Sequence, residues 1–535
     1  MSFASSNNMP LESYSVLQPS TNASSYSGSQ ENIIRWIIPA NSGYVDFHTS
    51  YLKLDLELKN TNYKMSFTND CGSLNLIQYL RISANGTTIE EIFDAHVLAN
   101  VLKCYGESHS VRQRRAVQDY ASYNNVASNA SFGTGDSENQ LSVPPLNGIG
   151  SSENAMNRPM ELILYLDYSG FLSSKTVMAL IATGDIEIEI RLNKPKNCLR
   201  VFPPTKRTDF NVCNGVFNKT TQKWGDIATA DTAVYLRPPF AGFSCAGDSP
   251  FAVGMSISVM ESNVNKKVAK ITAITETNDG KLKLELDAAV GADISVDTAQ
   301  IKITKGIDDN ADPRQDTDYS ITRADWYLGI VKPDPNYTRM VASQVEGEGL
   351  IMDISTYRTF KAPVMKEVQQ QSFQIPAYMS RVKGIMTVPI DNQQVVEWKV
   401  DNTSDYQASG SFSELKSYQH QSDNLFYPTQ PVDLTAFLGN GTFSTKASSE
   451  HIHQIDQTLH ACDMDFRTLT KVKENFIIPR AFSKYNATTN LTGTGARLYL
   501  NYSSPTYPSK NLIANSYACA NTRMVIGQNG VEVFV

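Results

Sequence analysis

Tyr51-Leu52-Lys53-Leu54-Asp55-Leu56-Glu57-Leu58-Lys59 alternates without a break: four leucines on one side, Lys53, Asp55, Glu57 and Lys59 on the other. A period of two residues belongs to a β-strand, whose successive side chains point to opposite faces. Ile186-Glu187-Ile188-Glu189-Ile190-Arg191-Leu192 repeats the pattern. Both stretches predict strands with one face in a core and one in water, as in antiparallel sheets rather than buried parallel ones.

Outward from these two, the chain reads as more strands. Ile33 to Ile38 stops at Pro39, and Leu74 to Ile82 is followed by an Asn85-Gly86 turn. Met160 to Tyr168 and Tyr319 to Val331 belong to the same series. Val268 to Thr277 and Lys281 to Leu286 flank Asn278-Asp279-Gly280, a hairpin signal, and Ile294, Val296, Ile301 and Ile303 then alternate. A second series starts near Tyr357 and comprises Ser372 to Ile375, Val382 to Pro389, Val395 to Val400 and Arg497 to Tyr502. Asn529-Gly530 predicts a closing hairpin of Arg523 to Ile526 with Val531 to Val535. Thr88-Ile89-Glu90-Glu91 fits a capping box, and Ile89, Ile92, Phe93, His96, Ala99 and Leu102 recur at helical spacing, which predicts a helix there. Asp456 to Cys462 is the one later stretch with a helical pattern.

Strands without βαβ alternation argue for sandwiches. The expected fold is all-β: two tandem antiparallel jelly rolls with a β-rich loop insertion and a few short helices. Its expected parts are an N-terminal arm over 1–32, a first roll over 33–345 that carries an inserted β-rich segment at 204–316, and a second roll over 346–535. Ten of the first 30 residues are Ser, without apolar periodicity, so the arm is either disordered or extended along a neighbouring subunit.

Composition narrows the function. The 535 residues carry 47 Lys+Arg against 54 Asp+Glu, a net charge of −7, and only 19% are charged. That disfavours a nucleic-acid binder and suits wide, mostly uncharged contact surfaces. Met1 to Asn32 lacks the apolar core of a secretion signal, and no run is long enough for a membrane-spanning helix. The seven cysteines, Cys71, Cys104, Cys198, Cys213, Cys245, Cys462 and Cys519, are scattered and form no CxxC pair. They read as reduced thiols of a protein assembled inside a cell. Sequons such as those at Asn85, Asn402 and Asn501 then reflect the abundance of Asn, Ser and Thr.

No residue pattern nominates a catalytic, cofactor-binding or metal site. Gly133-Thr134-Gly135 and Gly493-Thr494-Gly495 lack the Lys-Ser/Thr of a phosphate loop. His451, His453, His460 and Cys462, beside Asp456, Asp463 and Asp465, make the densest group of metal-ligand types, but the spacing fits no standard zinc pattern and polar loop histidines are the better reading. His96 on an apolar face reads as a packed core histidine. Arg112-Gln113-Arg114-Arg115 could touch nucleic acid or be cut by a protease, but reads as solvated surface. Asp55/Glu57 and Glu187/Glu189 sit on polar strand faces, where solubility alone would put them.

The order of patterns resembles the double jelly-roll major capsid proteins of eukaryotic DNA viruses, most of all those of polinton-like viruses, virophages and adintoviruses, with adenovirus hexons and tailless membrane-containing bacteriophages more distant. Pro39 to Phe47 with the Tyr51–Lys59 strand resembles the opening of the first roll. Asn75 to Ala84, then Asn85-Gly86 and the Ile89–Leu102 stretch, resembles its next strand, turn and helix. Ser169-Gly170-Phe171-Leu172 with Asp185–Leu192 resembles its later strands. Tyr357 to Pro376, the Tyr427-Pro428-Thr429-Gln430-Pro431 turn and the final hairpin resemble the second roll.

This resemblance implies a structural protein of the virion, not an enzyme and without cofactor. It implies homotrimers with six rolls per capsomer, contacts with neighbouring capsomers, penton and minor capsid proteins, a host-facing surface at 204–316, and no sequence-specific nucleic-acid binding. The rival readings are a double jelly-roll glycan-binding or glycan-processing protein, and a minor capsid or spike protein. The first would need an acid/base carboxylate pair in a cleft.

Overall fold

The computed structural model describes residues 12–30, 32–59, 65–67, 71–119, 123–124, 141–142, 160–201, 210–218, 223–225, 227–236, 256–261, 264–276, 282–294, 299–302, 318–391, 415–434, 448–467, 476–482, 488–527 and 530–535. The expected strand Val395–Val400, the Asn278–Gly280 turn, the 133–135 loop and Cys245 lie outside them.

In the first half, the main strands are β1 (Glu12–Pro19), β2 (Ile33–Ile38), β3 (Tyr44–Lys59), β4 (Ile77–Ala84), β5 (Thr87–Phe93), β6 (Met160–Leu164), β7 (Ile186–Leu192) and β8 (Asp318–Lys332), with helices α1 (Ala95–Gly106) and α2 (His109–Gln118). Helix α3 (Pro335–Glu346) leads to the second half: β9 (Leu350–Val364), β10 (Gln370–Ile375), β11 (Val382–Asp391), β12 (Leu415–Ser422), β13 (Leu425–Asp433), α4 (Ser449–Ala461), β14 (Ile478–Ala481), β15 (Ala496–Tyr502), β16 (Leu512–Gly527) and β17 (Gly530–Phe534).

The alternation in β3 does what its period demands. Leu52, Leu54, Leu56 and Leu58 are each at most 1% exposed, and burying a leucine is worth about 2 kcal/mol. They lie in a sheet ordered β1-β8-β3-β6. Across the core runs a nine-stranded sheet ordered β14-β11-β16-β9-β5-β4-β7-β2, with β17 on β16. Trp36 of β2 and Trp326 of β8 meet edge to face at 5.5 Å between these layers, and the Trp36 indole N–H donates to the Ala324 carbonyl at 3.0 Å. In the second half the four-stranded sheet β10-β15-β12-β13 is the other layer. The fold is the expected double jelly roll, and its two rolls share one sheet: β9 of the second half pairs in parallel with β5 of the first through Arg358 and Glu91.

The segment between Phe210 and Lys302 folds on itself. Its strands run Lys223–Gly225, Phe210–Asn218, Ala233–Leu236, Leu282–Leu286, Val264–Glu276, Ser256–Glu261, Ala299–Lys302, and the last pairs back onto Phe210–Asn218. The ring thus closes into a small antiparallel barrel, which removes free edges. Val234, Leu236, Ile257, Val259, Ile271, Leu282 and Leu284 fill it.

Several expectations need correction. Thr87 to Phe93 is a strand, not the start of a helix. Asn85 and Gly86 both have positive φ (47° and 82°) and turn the chain back onto β4 as a hairpin. Turn chemistry thus overrides the capping-box pattern, and the helix begins only at Ala95, after Asp94 at φ 47°. Residues 72–76 form a 3₁₀ turn, so the strand expected from Leu74 begins at Ile77. The strand expected over 160–168 ends at Leu164. Tyr427 to Pro431 lies in strand β13, not a turn. Arg523–Ile526 is the tail of the 16-residue β16. Within the arm, Glu12 to Pro19 is not loose chain but an edge strand in register with β8.

Candidate functional site

The suspected metal group does not assemble. Residues 449–461 form helix α4, capped by Ser448, whose hydroxyl accepts the His451 N–H at 3.2 Å. Two positions along a helix are on nearly opposite faces, so His451 is buried while His453, Asp456 and His460 are exposed. The His451 ring shares a 2.9 Å hydrogen bond with the Tyr418 hydroxyl and stacks on Phe476. Burial holds this imidazole down at about 3. Cys462 is buried, Asp463 binds Lys383, and Asp465 binds Arg467. Among the described residues no three His, Cys, Asp or Glu side chains form a group that could hold a metal ion. These are helix residues, one of them in the core, rather than the loop histidines the pattern suggested.

The basic run also differs from expectation. It lies in α2, and Arg115 is buried rather than solvated. Its guanidinium donates to both Glu107 oxygens (3.2 and 3.0 Å), to Asp119 Oδ2 (2.6 Å) and to the Cys71 carbonyl (2.9 Å). Lys103 adds ion pairs to Glu107 and Asp167. Burial alone would raise the Glu107 carboxyl, but Arg115 and Lys103 hold it below its usual range. For Asp119 burial outweighs Arg115, and the carboxyl is pushed up to about 6. This network floors an open cleft of about 440 Å³, where Arg114 and His48 line the rim. Of the carboxylate pairs, Glu187 stays partly exposed on its strand face, but Glu189 is buried, against the expectation of a solvated face, and takes the Arg35 guanidinium at 2.9 Å. His96 is a core residue, held down at about 4 by burial.

The polar constellation that joins distant parts of the chain lies between the rolls. Glu90, on β5, is fully buried. Its carboxylate accepts N–H groups of Gly170 (3.0 Å), Phe171 (3.2 Å) and Tyr357 (2.7 Å), and the Ser169 hydroxyl. Burial raises this carboxyl, while the four donors act against that shift. Gly170 is packed so closely on β9 that a Cβ there would stand 1.9 Å from the Ser355 carbonyl oxygen. Next to it, Asp94 Oδ2 accepts from Asn515 (2.8 Å) and pairs with Lys361 (2.6 Å), and the Tyr517 hydroxyl donates to the Asp94 carbonyl at 2.9 Å. In the sequence, Ser169 to Leu172 stands out only by resemblance, and the capping-box pattern puts Glu90 in a helix. The signal that could have found this site is an acidic residue flanked by Ile89 and Ile92 just after a hairpin turn.

The outer surfaces carry exposed apolar edges. On β1, Tyr14 is 53%, Val16 39% and Leu17 43% exposed, since neither face of this strand is covered. On β13, the opposite roll's edge, Leu425 and Phe426 are exposed as well. Both strands thus leave large apolar side chains open to solvent.

No protein-family model matches the chain, and no curated protein matches it. Solved structures do. The Faustovirus major capsid protein is 8% identical, with TM-score 0.50 over 98% of this chain and 93% of that one. PBCV-1 VP54, fitted into a reconstruction of the virophage Sputnik, is 9% identical with TM-score 0.48 over 98% and 96%. The mavirus major capsid protein is 10% identical with TM-score 0.37 over 100% and 92%. At these identities the likeness is one of fold, and with the Faustovirus protein it runs from end to end of both rolls.

Proposed function

We propose that this chain is the major capsid protein of a DNA virus: a structural, non-enzymatic subunit that trimerises, so that three copies of two rolls give a pseudo-hexagonal capsomer, and capsomers tile an icosahedral shell. The observation that carries this reading is the end-to-end fold likeness to the Faustovirus major capsid protein. A tiling subunit must hold its two rolls at a fixed angle, and a shared sheet with a buried carboxylate at the seam suits that demand. Exposed edge strands on both rolls suit repeated contacts between copies, which sum to a stable shell.

In this reading the chain resides in the virion. Residues 1–32 serve as the arm, 33–345 and 346–535 as the rolls, and the insertion within 204–316 caps the outer surface, where it can meet a host. Penton and minor capsid proteins are its further partners. Arg115 is taken up by carboxylates, so this member of the basic run offers little to DNA. The test is size exclusion with light scattering and electron microscopy of the purified chain. Particles of about three times 59.2 kDa with a hexagonal outline are expected, and a stable monomer at high concentration overturns the reading.

A further inference from the structure

We propose that Lys361 and Asn515 become joined by an intramolecular isopeptide bond, with Asp94 as the proton carrier. Three observations converge. Lys361 of β9 and Asn515 of β16 are directly opposite in the antiparallel register, so their side chains leave the sheet on the same face. Both side-chain nitrogens sit on one oxygen: Asp94 Oδ2 lies 2.6 Å from Lys361 Nζ and 2.8 Å from Asn515 Nδ2. The carboxylate and the amide are both buried, Asp94 at 3% and Asn515 at 0% exposure, while Asn515 Oδ1 has no hydrogen-bond partner.

This is the arrangement that amide exchange needs. A lysine must be brought against an amide carbon in near-attack geometry, with a carboxylate that takes its proton. The Lys361 stem reaches in from the surface, and its ammonium lies 5.9 Å from the centre of the Phe93 ring. The ammonium thus meets a buried carboxylate from the solvent side. The Tyr517 hydroxyl, bound to the Asp94 carbonyl, holds the acid in place.

The step balances without an oxidant. The Lys361 ammonium gives a proton to Asp94, and the neutral Nζ attacks Asn515 Cγ. The new C–N bond forms as the bond from Cγ to Nδ2 breaks. Asp94 passes its proton to the departing nitrogen, the second proton released by Nζ goes the same way, and ammonium leaves. One ammonium is consumed and one is formed, and Asp94 ends as the carboxylate it began as. The product ties β9 to β16 beside the seam between the rolls. The bond forms within one chain, whether or not copies of that chain assemble a shell.

Intact-mass measurement of the purified full chain, followed by tryptic mapping, tests it. The expected result is a chain lighter than its sequence by one ammonia, with a branched peptide joining Lys361 to Asn515, and full sequence mass in Lys361→Met. Full mass in the unaltered chain, with separate linear peptides carrying Lys361 and Asn515, overturns it. An ammonia lost within a linear Asn515 peptide, as in succinimide formation, overturns it equally.

Discussion

The Glu90 carboxylate accepts the backbone N–H of Tyr357 at 2.7 Å, so a side chain of the first roll ends on the main chain of the second. Glu90→Ala would leave three backbone N–H groups and a hydroxyl without their acceptor in a buried seam. The expected cost is about 3–5 kcal/mol, with Glu90→Gln costing clearly less because one amide oxygen remains. Urea unfolding measures the cost, and hydrogen exchange at the Tyr357 amide should accelerate first.

Gly170 tests the same seam by steric means. Gly170→Ala sets a methyl group against the Ser355 carbonyl, which is rigid backbone. Loss of soluble, cooperatively melting protein is expected, whereas Ser173→Ala in the same turn, at a half-buried position, should melt within a few degrees of the unaltered chain.

Arg115→Met would strand the Glu107 and Asp119 carboxylates without their main cation. A destabilisation of about 3–5 kcal/mol is expected, read as a lowered melting temperature, while retention on heparin stays unchanged. A surface nucleic-acid contact would give the reverse pair of results.

The buried histidines set the acid limit. His96 sits at about 4, and His420 and His451 at about 3, all lowered by burial from the ordinary 6.5. The unfolded chain therefore takes up protons that the folded one refuses, and stability falls as pH drops below about 6.5, by up to about 1.4 kcal/mol per pH unit for each histidine. Asp119 and Glu90 act in the opposite sense, since raised carboxyls favour the folded state at lower pH. Three histidines against two carboxyls leave a net loss in acid. The difference between urea midpoints at pH 5 and pH 7 should shrink in His420→Gln.

The first strand separates folding from assembly. Tyr14, Val16 and Leu17 contribute little burial, whereas Tyr26 is 2% exposed in the core. Replacing the three by Ser should leave the melting temperature within a few degrees and impair shell formation. Deleting residues 1–30 should lower stability too, because it bares the β8 edge and removes Tyr26. Normal shells from the triple variant would refute an assembly role for β1.

The half-buried strands were legible because burial on one face writes itself into a two-residue period, as in β3 and β7. What escaped was governed by partners far away in sequence. Glu90 is buried because Gly170, Phe171 and Tyr357 supply donors, and nothing near position 90 announces them. Arg115 reads as surface until Glu107 and Asp119, eight and four positions away, turn out to enclose it. The histidines of α4 read as loop residues because the polar residues around them obscure a short apolar stripe: Ile452, Ile455, Leu459 and Cys462.

The shared sheet also dictates an order of events during synthesis. Glu90 and Tyr357 stand 267 positions apart, and β3 cannot acquire its neighbour β8 until the whole insertion has emerged from the ribosome. Among the described residues the second roll has its strands after the insertion, and its widest pairing, Leu350 with Ile526, spans less chain than that of Tyr44 with Val331 across the insertion. The N-terminal roll, although made first, therefore finishes late: its β3 must wait for a strand encoded far downstream, beyond the insertion. A chain of this design places its greatest demand on chaperones before the barrel in the middle is complete.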